Sequence, residues 1–433
     1  MQISRRQALR ALAAAQAAAL CPMSAACQTR EEDPPDPEDF TLSEPTAVAA
    51  EGLASFAFDL HRATTATDES PNAFVSPWSI WTALAMLAEG ARGETRAEIV
   101  AAMGLADATG AARSAGAGDL RERLARADRG REVSISTADA LWLDDGFDAS
   151  PGVVDALRRT FDAEVARLAF REDPDGARQH INGWVEKRTQ GRIADLMPKG
   201  SIDRATELVL TDAIHFKGSW VHAFDPERTV PDAFTRADGT QVTVPFMHLE
   251  ENQRFAVGRV EDRAAGVAAS AVEIPYVGER ASFLALVPDA PDGLAALESW
   301  MTSERLRAHV RAMDRRRIEL VVPKMKLEPR LELTAPLRAL GVRSAFDVER
   351  ADLSRFRASE RRDLAVTSAV HAAFLEVDEK GTEAAAATGV TVGRAMAQVG
   401  PSSIRLDRPF LFLIRERTAG TVLFLGRIAD PTA

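Results

Sequence analysis

Glu376-Val377-Asp378-Glu379-Lys380-Gly381-Thr382-Glu383-Ala384-Ala385-Ala386-Ala387-Thr388 is the stretch that decides the fold, because no ordinary element accounts for it. It grows out of an apolar strand, Phe374-Leu375-Glu376-Val377, and then turns alanine-rich, although strands are depleted in alanine. Alanine and glutamate favour a short surface helix, and Gly389 stands where it would cap one. So short a run between Gly381 and Gly389 nevertheless makes a marginal helix on its own. Downstream, Val390 to Ser403 is polar and has no period. A long structureless stretch inside a compact domain is uncommon and usually functional. No proline interrupts residues 379–400, so every residue there keeps the N–H that a strand ladder needs.

Working outward, the C-terminal half reads as strands. Leu208-Val209-Leu210 with Ala213 to Phe216 predicts one, and Ala271–Tyr276, Ser282–Val287 and Ile318–Pro323 predict three more. Pro409–Ile414 and Thr421–Leu425 flank a turn at Arg415–Gly420 and predict a hairpin. Phe283, Phe374, Phe410 and Phe412 read as core. The first third is helical: Leu53, Phe56, Ala57 and Leu60 fall at helical spacing, and Thr82–Leu87 with Ile99 and Met103 predict two further amphipathic segments. Ser150-Pro151 predicts a helix over 151–159, and His180–Gln190 predicts another closed by Gly191. Residues 106–118 and 171–177 read as loops. Helices early and strands late argue an α+β fold with an antiparallel or mixed sheet. The 433 residues would by length allow two or three domains. From residue 47 to 433, however, there is no linker, repeat or Gly/Ser tract, which predicts one large domain.

The N-terminus reads as an address. Residues 1–27 carry twin arginines in Ser4-Arg5-Arg6-Gln7-Ala8-Leu9-Arg10, then the apolar run Ala11–Met23, then Ser24-Ala25-Ala26-Cys27. This resembles a twin-arginine export signal. Two processing readings stand: acylation of Cys27 as a lipoprotein, which would anchor the chain to a membrane, or cleavage after Ala26 to release it. Both take the protein out of the cytoplasm. Residues 28–46 are acidic and Pro-rich and read as a solvated tether. No later run approaches the ~18 apolar residues of a membrane span.

Composition excludes several classes. The chain is 46% hydrophobic and carries a net charge of −11, a profile of a globular chain and a poor nucleic-acid binder. Arg315-Arg316-Arg317 is a basic triplet that reads as a solvated face at this net charge. The two cysteines are Cys21 and Cys27, so the body has no disulfide, thiol nucleophile or Cys-based metal site. The seven histidines form no HxxxH or HExxH pair, which leaves a zinc hydrolase unsupported. No G-x-S-x-G appears, so a Ser/His/Asp hydrolase lacks its nucleophile elbow.

Asn72-Ala73-Phe74-Val75-Ser76-Pro77-Trp78-Ser79-Ile80, leading to Gly90-Ala91-Arg92-Gly93-Glu94-Thr95, resembles the serpin family. Further segments agree in order: Asn182-Gly183-Trp184-Val185, Asp212-Ala213-Ile214-His215-Phe216-Lys217-Gly218-Ser219-Trp220, Glu273-Ile274-Pro275-Tyr276 and Val322-Pro323-Lys324-Met325. They are followed by Ala351-Asp352-Leu353-Ser354, the opening stretch, Asp407-Arg408-Pro409-Phe410 and Phe424-Leu425-Gly426-Arg427. The resemblance covers about residues 48–433.

The resemblance implies a serpin fold of about nine helices and three β-sheets, with an exposed reactive-centre loop at about 380–404. It implies a suicide inhibitor of serine endopeptidases with no catalytic residue, cofactor or metal of its own, working as a monomer. In the family the loop presents a bait bond and inserts into a sheet after cleavage, which joins strand addition to the release of stored strain. Alternate residues of an inserted strand share a face, so Thr382, Ala384, Ala386 and Thr388 would point inward, all small, while Glu383, Ala385 and Ala387 take the other parity. Small inward residues argue for inhibition over a non-inhibitory carrier or chaperone. Two bait bonds stand: Arg394–Ala395, suiting a trypsin-like protease, and Ala395–Met396, suiting an elastase-like one. Glu379 and Lys324, with Trp220, match the family's breach, where the loop enters the sheet. Ser76, Ser79, Asp212 and His371 match the shutter beneath it. The family usually has Asn where this chain has Asp212; a buried Asp needs a partner, and two readings stand: His371 donates to it and makes sheet opening pH-dependent, or the pair is a satisfied neutral hydrogen bond.

Overall fold

The computed structural model describes residues 42–433 except 68–69, 107, 109, 128–132, 212, 251–252, 368 and 383–402. Cys27, Asp212, Glu383–Thr388 and Arg394–Met396 therefore lie outside the described residues.

Nine α-helices occur among the described residues. The first, Glu44–Thr67, buries Leu53, Phe56, Ala57 and Leu60 as their spacing predicts. It starts ahead of residue 47, with Thr46 already buried. Pro77–Gly90 follows, capped by the Ser76 hydroxyl accepting from the Ser79 N–H and started by a proline at its first turn. Gly93–Ala102 takes up Ile99. The segment 106–118, read as a loop for its glycines, is the start of a helix, Gly110–Ala127. Gly116 is a packing device there: a Cβ would lie 2.4 Å from the Pro45 carbonyl oxygen of the first helix. The helix predicted at 151–159 spans Pro151–Phe161. The one predicted at His180–Gln190 begins earlier, at Pro174, where the Asp173 carboxylate caps the Gly176 N–H, so 171–177 is only partly a loop. Gly191 ends it at φ +81°.

The strands form four ladders. A seven-stranded antiparallel sheet runs in the order 73–75, 422–428, 410–416, 281–288, 267–275, 254–262, 314–317. The predicted C-terminal hairpin forms its second and third strands, and the basic triplet lies on its edge strand, Asp314–Arg317. A four-stranded sheet contains 403–405, 319–323, 241–249 and 230–235.

The central sheet is built from the remaining two ladders joined end to end. The stretch read as one strand over 208–216 is two, Leu208–Thr211 and Ile214–Ser219. Their neighbour is likewise split into Val133–Thr137 and Ala140–Asp144. The Ala138 N–H donates to the Ala213 carbonyl at 2.7 Å across the interruption, so the expected three sheets are counted as four although two are collinear. On the far side runs Val370–Asp378, flanked by Met325–Leu327 and Arg330–Glu332.

The main core, which includes Phe216, Leu375, Phe283, Phe410 and Phe412, fills the space between this sheet, the seven-stranded sheet and helix Pro77–Gly90. Helix Pro174–Arg188 covers part of the other face through Ile181, Val185 and Trp142. Phe374 is buried as predicted, on that outer side, beneath the Arg192 guanidinium. No helix of the described residues is long and apolar enough to cross a membrane.

Candidate functional site

Strand Val370–Asp378 ends in a turn made by its own last residue. The Asp378 carboxylate accepts the N–H of Lys380 at 2.8 Å and of Gly381 at 3.1 Å, an Asx-type turn that reverses the chain. Gly381 and Thr382 then re-enter the sheet, between the strand they left and Ile214–Ser219. Gly381 pairs with Asp378 and Ser219, and Thr382 with Val377 and Gly218. Lower down the same two strands touch directly, in parallel, at Ala373–Ile214 and Phe374–His215. The sheet is thus wedged at its head and closed just beneath.

The wedge is tightly made. A Cβ on Gly381 would lie 1.9 Å from the Gly218 carbonyl oxygen, so only glycine fits. Gly381→Ala is expected to push the chain out of the wedge and to destabilise the native state by about 2 kcal/mol, the scale of overpacking; an unchanged urea midpoint at constant m-value would refute this. Thr382 is 1% exposed, and its hydroxyl is 2.6 Å from the Tyr276 hydroxyl. Tyr276 is fully buried, which pushes its phenol far up and keeps it protonated. Its ring stacks on Trp220 at 4.6 Å and meets Phe216 edge-on.

All three turn carbonyls are bonded. The Trp220 indole N–H donates to Asp378 O at 3.0 Å, the Trp220 backbone N–H to Lys380 O at 2.9 Å, and the Phe224 N–H to Glu379 O at 2.7 Å. The Glu379 side chain takes Lys324 Nζ at 2.8 and 3.1 Å and the Thr229 hydroxyl at 2.8 Å. Burial pushes the Glu379 carboxyl up, and the bonds from Lys324 and Thr229 more than offset this, leaving it below its ordinary value. Glu379, Lys324 and Trp220 therefore meet at one point, and Trp220 contributes two hydrogen bonds there.

Beneath the closed pairs sits a second polar group. His371 is buried, and its Nε2 accepts the Ser76 N–H at 3.1 Å. The Ser76 hydroxyl donates to Leu423 O at 2.7 Å and accepts the Ser79 N–H at 3.1 Å. Ser76, Ser79 and His371 are brought together. The expected donation from His371 to Asp212 falls on a residue outside those described; at Nε2 the ring is an acceptor, so any donation is left to Nδ1. Burial lowers the imidazole to about 4.

Next to this group lies a cavity of about 380 Å³ lined by Ile80, Leu84, Leu208, Leu210, Val370 and His371 among others. It opens between the lower ends of the two central strands. Among the described residues, Leu208–Thr211 is paired only with Ala140–Asp144, so its other edge faces this space.

Tyr276 and Thr229 were not singled out by sequence. Tyr276 carried one signal: it is the only tyrosine in the chain, in a strand whose other residues are mostly aliphatic. Thr229 carried none. Among the described residues no group of His, Cys, Asp or Glu could hold a metal ion.

The comparisons with known proteins fit this geometry. The family model described as Serpin (serine protease inhibitor) matches residues 51–431. The chain is 35% identical over 382 residues to the leukocyte elastase inhibitor of Bos taurus, covering 87% of this chain and 97% of that protein. It is 34% identical to Serpin B8 of Homo sapiens, covering 88% and 99%. Among solved structures it is similar to uncleaved ovalbumin, with a TM-score of 0.77 at 29% identity over 88% of this chain and all of that one. It is similar also to Serpin48 of the insect Tenebrio molitor, with a TM-score of 0.77 at 27% identity over 90% of this chain and all of that one.

Proposed function

The chain belongs to the serpin family, a family of protease inhibitors and not of enzymes, and from that premise we propose that it traps a serine endopeptidase as a suicide substrate. The protease serine attacks the carbonyl carbon of Arg394 or Ala395. The peptide bond breaks, the leaving amine of Ala395 or Met396 takes the proton, and an acyl ester joins inhibitor to protease. The loop then inserts into the central sheet and carries the protease with it before water can cleave the ester. An Arg394–Ala395 bond suits a trypsin-like target and an Ala395–Met396 bond an elastase-like one.

The observation that carries this reading is the wedge: Gly381 and Thr382 already occupy a strand position between Val370–Asp378 and Ile214–Ser219. Continuing the same antiparallel register sets Ala384 against Leu375 and Phe216, Ala386 against Ala373 and Ile214, and Thr388 against His371 and Asp212. Inward side chains along that path are small, as entry into a packed core requires. The obstacle is local: two residue pairs, Ala373–Ile214 and Phe374–His215, separate to admit the strand. Glu379, Lys324 and Trp220 hold the entrance, and Ser76 and His371 lie under the pairs that part.

We assign the export signal to residues 1–27, with cleavage after Ala26 so that the mature chain begins at Cys27, acylated or free.

The test mixes the full chain with trypsin and with elastase and runs a denaturing gel. A covalent complex that survives denaturation is expected with one of them, and the mass of the released C-terminal peptide, beginning at Ala395 or Met396, identifies the bond. Cleavage without complex for both would replace this reading by a non-inhibitory binding or chaperone role.

A further inference from the structure

Arg357 is 3% exposed, and no part of the function above uses it. Its guanidinium donates through Nε to Asp363 at 2.6 Å, through Nη1 to Asp148 at 2.7 Å and through Nη2 to Glu207, while lying over the Phe147 ring. A buried cation meeting carboxylates from three chain segments is well satisfied, and such a group is costly to uncouple.

The segments are not equivalent. Glu207 immediately precedes strand Leu208–Thr211, and its carbonyl accepts the Asp144 N–H at 2.9 Å, so it belongs to one side of the central sheet. Asp363 lies on the lead-in to Val370–Asp378, the other side; that lead-in is fixed by the Val366 N–H to Ala345 O at 2.8 Å and the Leu333 N–H to Ala369 O at 2.7 Å. Asp148 stands on the Glu207 side, since it follows strand Ala140–Asp144, which pairs with Leu208–Thr211; two backbone bonds, Ala358 N–H to Asp148 O and Ser150 N–H to Phe356 O, both at 2.7 Å, cross to the Arg357 segment beside the guanidinium. Glu207 and Asp363 both line the cavity between the two strands.

We propose that Arg357 is a clasp across the lower end of the central sheet, joining Glu207 on one side to Asp363 on the other, and that its bond to Glu207 breaks as the sheet opens. The proposal rests on the insertion reading above. Admitting a strand moves the flanking strands apart by about one spacing, ~4.8 Å. A hydrogen bond is lost within a fraction of that distance. The strand that carries Glu207 runs on through residues 212–213 into Ile214–Ser219, so separation at Ile214 is passed down to it. The clasp thus sets part of the barrier to opening: it is formed in the closed sheet and absent from the opened one, so its removal speeds insertion. Arg357 is a positioning residue; it touches neither the bait bond nor the protease.

The test compares wild type with Glu207→Gln, which keeps shape and removes the charge that spans the gap; it also removes the ion pair to Arg171 (2.8 Å), which lies on the Glu207 side and does not cross the gap. The control is Asp430→Asn, which removes the carboxylate of an unrelated partly buried ion pair with Arg236 (2.7 Å). Each protein is warmed without protease, and the rate of conversion to the inserted form is read as the gain of urea resistance. Glu207→Gln is expected to convert about fivefold faster than wild type, with Asp430→Asn close to wild type, consistent with one partly shielded ionic bond lost before the transition state. High salt should accelerate wild type and leave Glu207→Gln nearly unchanged. Equal rates for Glu207→Gln and wild type, or equal acceleration in Asp430→Asn, would overturn the clasp. A parallel sample, cut in the loop by trypsin and then melted, separates the two readings. If cut wild type gains no thermal stability, insertion itself fails and the clasp with it; if it gains stability while the variant rates match, only the clasp fails.

Discussion

Thr382→Arg is expected to turn the protein from an inhibitor into a substrate: the loop is still cut, and no covalent complex survives denaturation. Thr382 is 1% exposed and stands between Val377 and Gly218, with its hydroxyl on the Tyr276 hydroxyl. An arginine there cannot keep its charge solvated and remain in the sheet, because burying an unpaired charge costs far more than the few hydrogen bonds at hand return. The variant avoids that cost by leaving the wedge, which needs only the four residue pairs of Gly381 and Thr382 to be given up. Folding is therefore expected to survive. Insertion after cleavage is not, since the arginine would have to re-enter the same slot. The outcome is a race between insertion and hydrolysis of the ester. Each ~1.4 kcal/mol added to the insertion barrier slows it tenfold, so a penalty of several kcal/mol hands the race to hydrolysis. The measurement is the yield of covalent complex per molecule of inhibitor cut, with the melting of the cut form as a second readout. Thr382→Ser, which keeps the hydroxyl, should restore complex formation. Undiminished complex from Thr382→Arg would show that the hinge does not enter the sheet at 382.

The meeting of Glu379, Lys324 and Trp220 was legible only through the family resemblance of the segments that carry them. The alanine-rich run lies outside the described residues. Other features were hidden for physical reasons. Leu208 to Phe216 reads as one apolar strand because Leu208, Val209 and Leu210 are apolar on both faces although Leu208 and Leu210 are only half-buried, so no alternation marks where the first strand ends at Thr211. Helix Gly110–Ala127 was masked by glycines that look like loop residues until Gly116 is seen against the Pro45 carbonyl. Tyr276 was quoted only as the end of a motif, since its link to Thr382 joins residues 106 positions apart. Arg357 was invisible among 47 arginines, and only burial distinguishes it. Sequence periodicity reports which face of an element is apolar; it does not report which polar side chains a sheet brings together across a gap.

The acid side of the stability curve should carry the mark of His371. The ring is fully buried, and burial alone lowers it to about 4 from an ordinary 6.5. Its Nε2 accepts the Ser76 N–H, so the native ring is neutral with its proton on Nδ1, and adding a proton at Nε2 removes the acceptor. The unfolded chain has no such constraint and takes up that proton near pH 6.5. Between pH 6.5 and 4 the unfolded state therefore binds more protons than the native state, and stability rises with pH through that window. This contribution is fully present above pH 6.5 and is lost as pH falls towards 4. At 1.36 kcal/mol per pH unit it amounts to about 3 kcal/mol across the window. His222 and His309, which burial also lowers, add the same sign of slope. The comparison is therefore made against His371→Gln, in which they remain and their share cancels. Unfolding by urea at pH 7 and at pH 4 is expected to show wild type losing about 3 kcal/mol more than His371→Gln. Because His371 lies under the two pairs that part to admit the strand, the same loss should loosen the sheet there, so acid should also speed conversion of wild type to the inserted form more than that of the variant. Parallel pH slopes for the two proteins would show that the native ring accepts its proton as readily as the unfolded one, and that the shutter histidine is not the acid-labile point of the sheet.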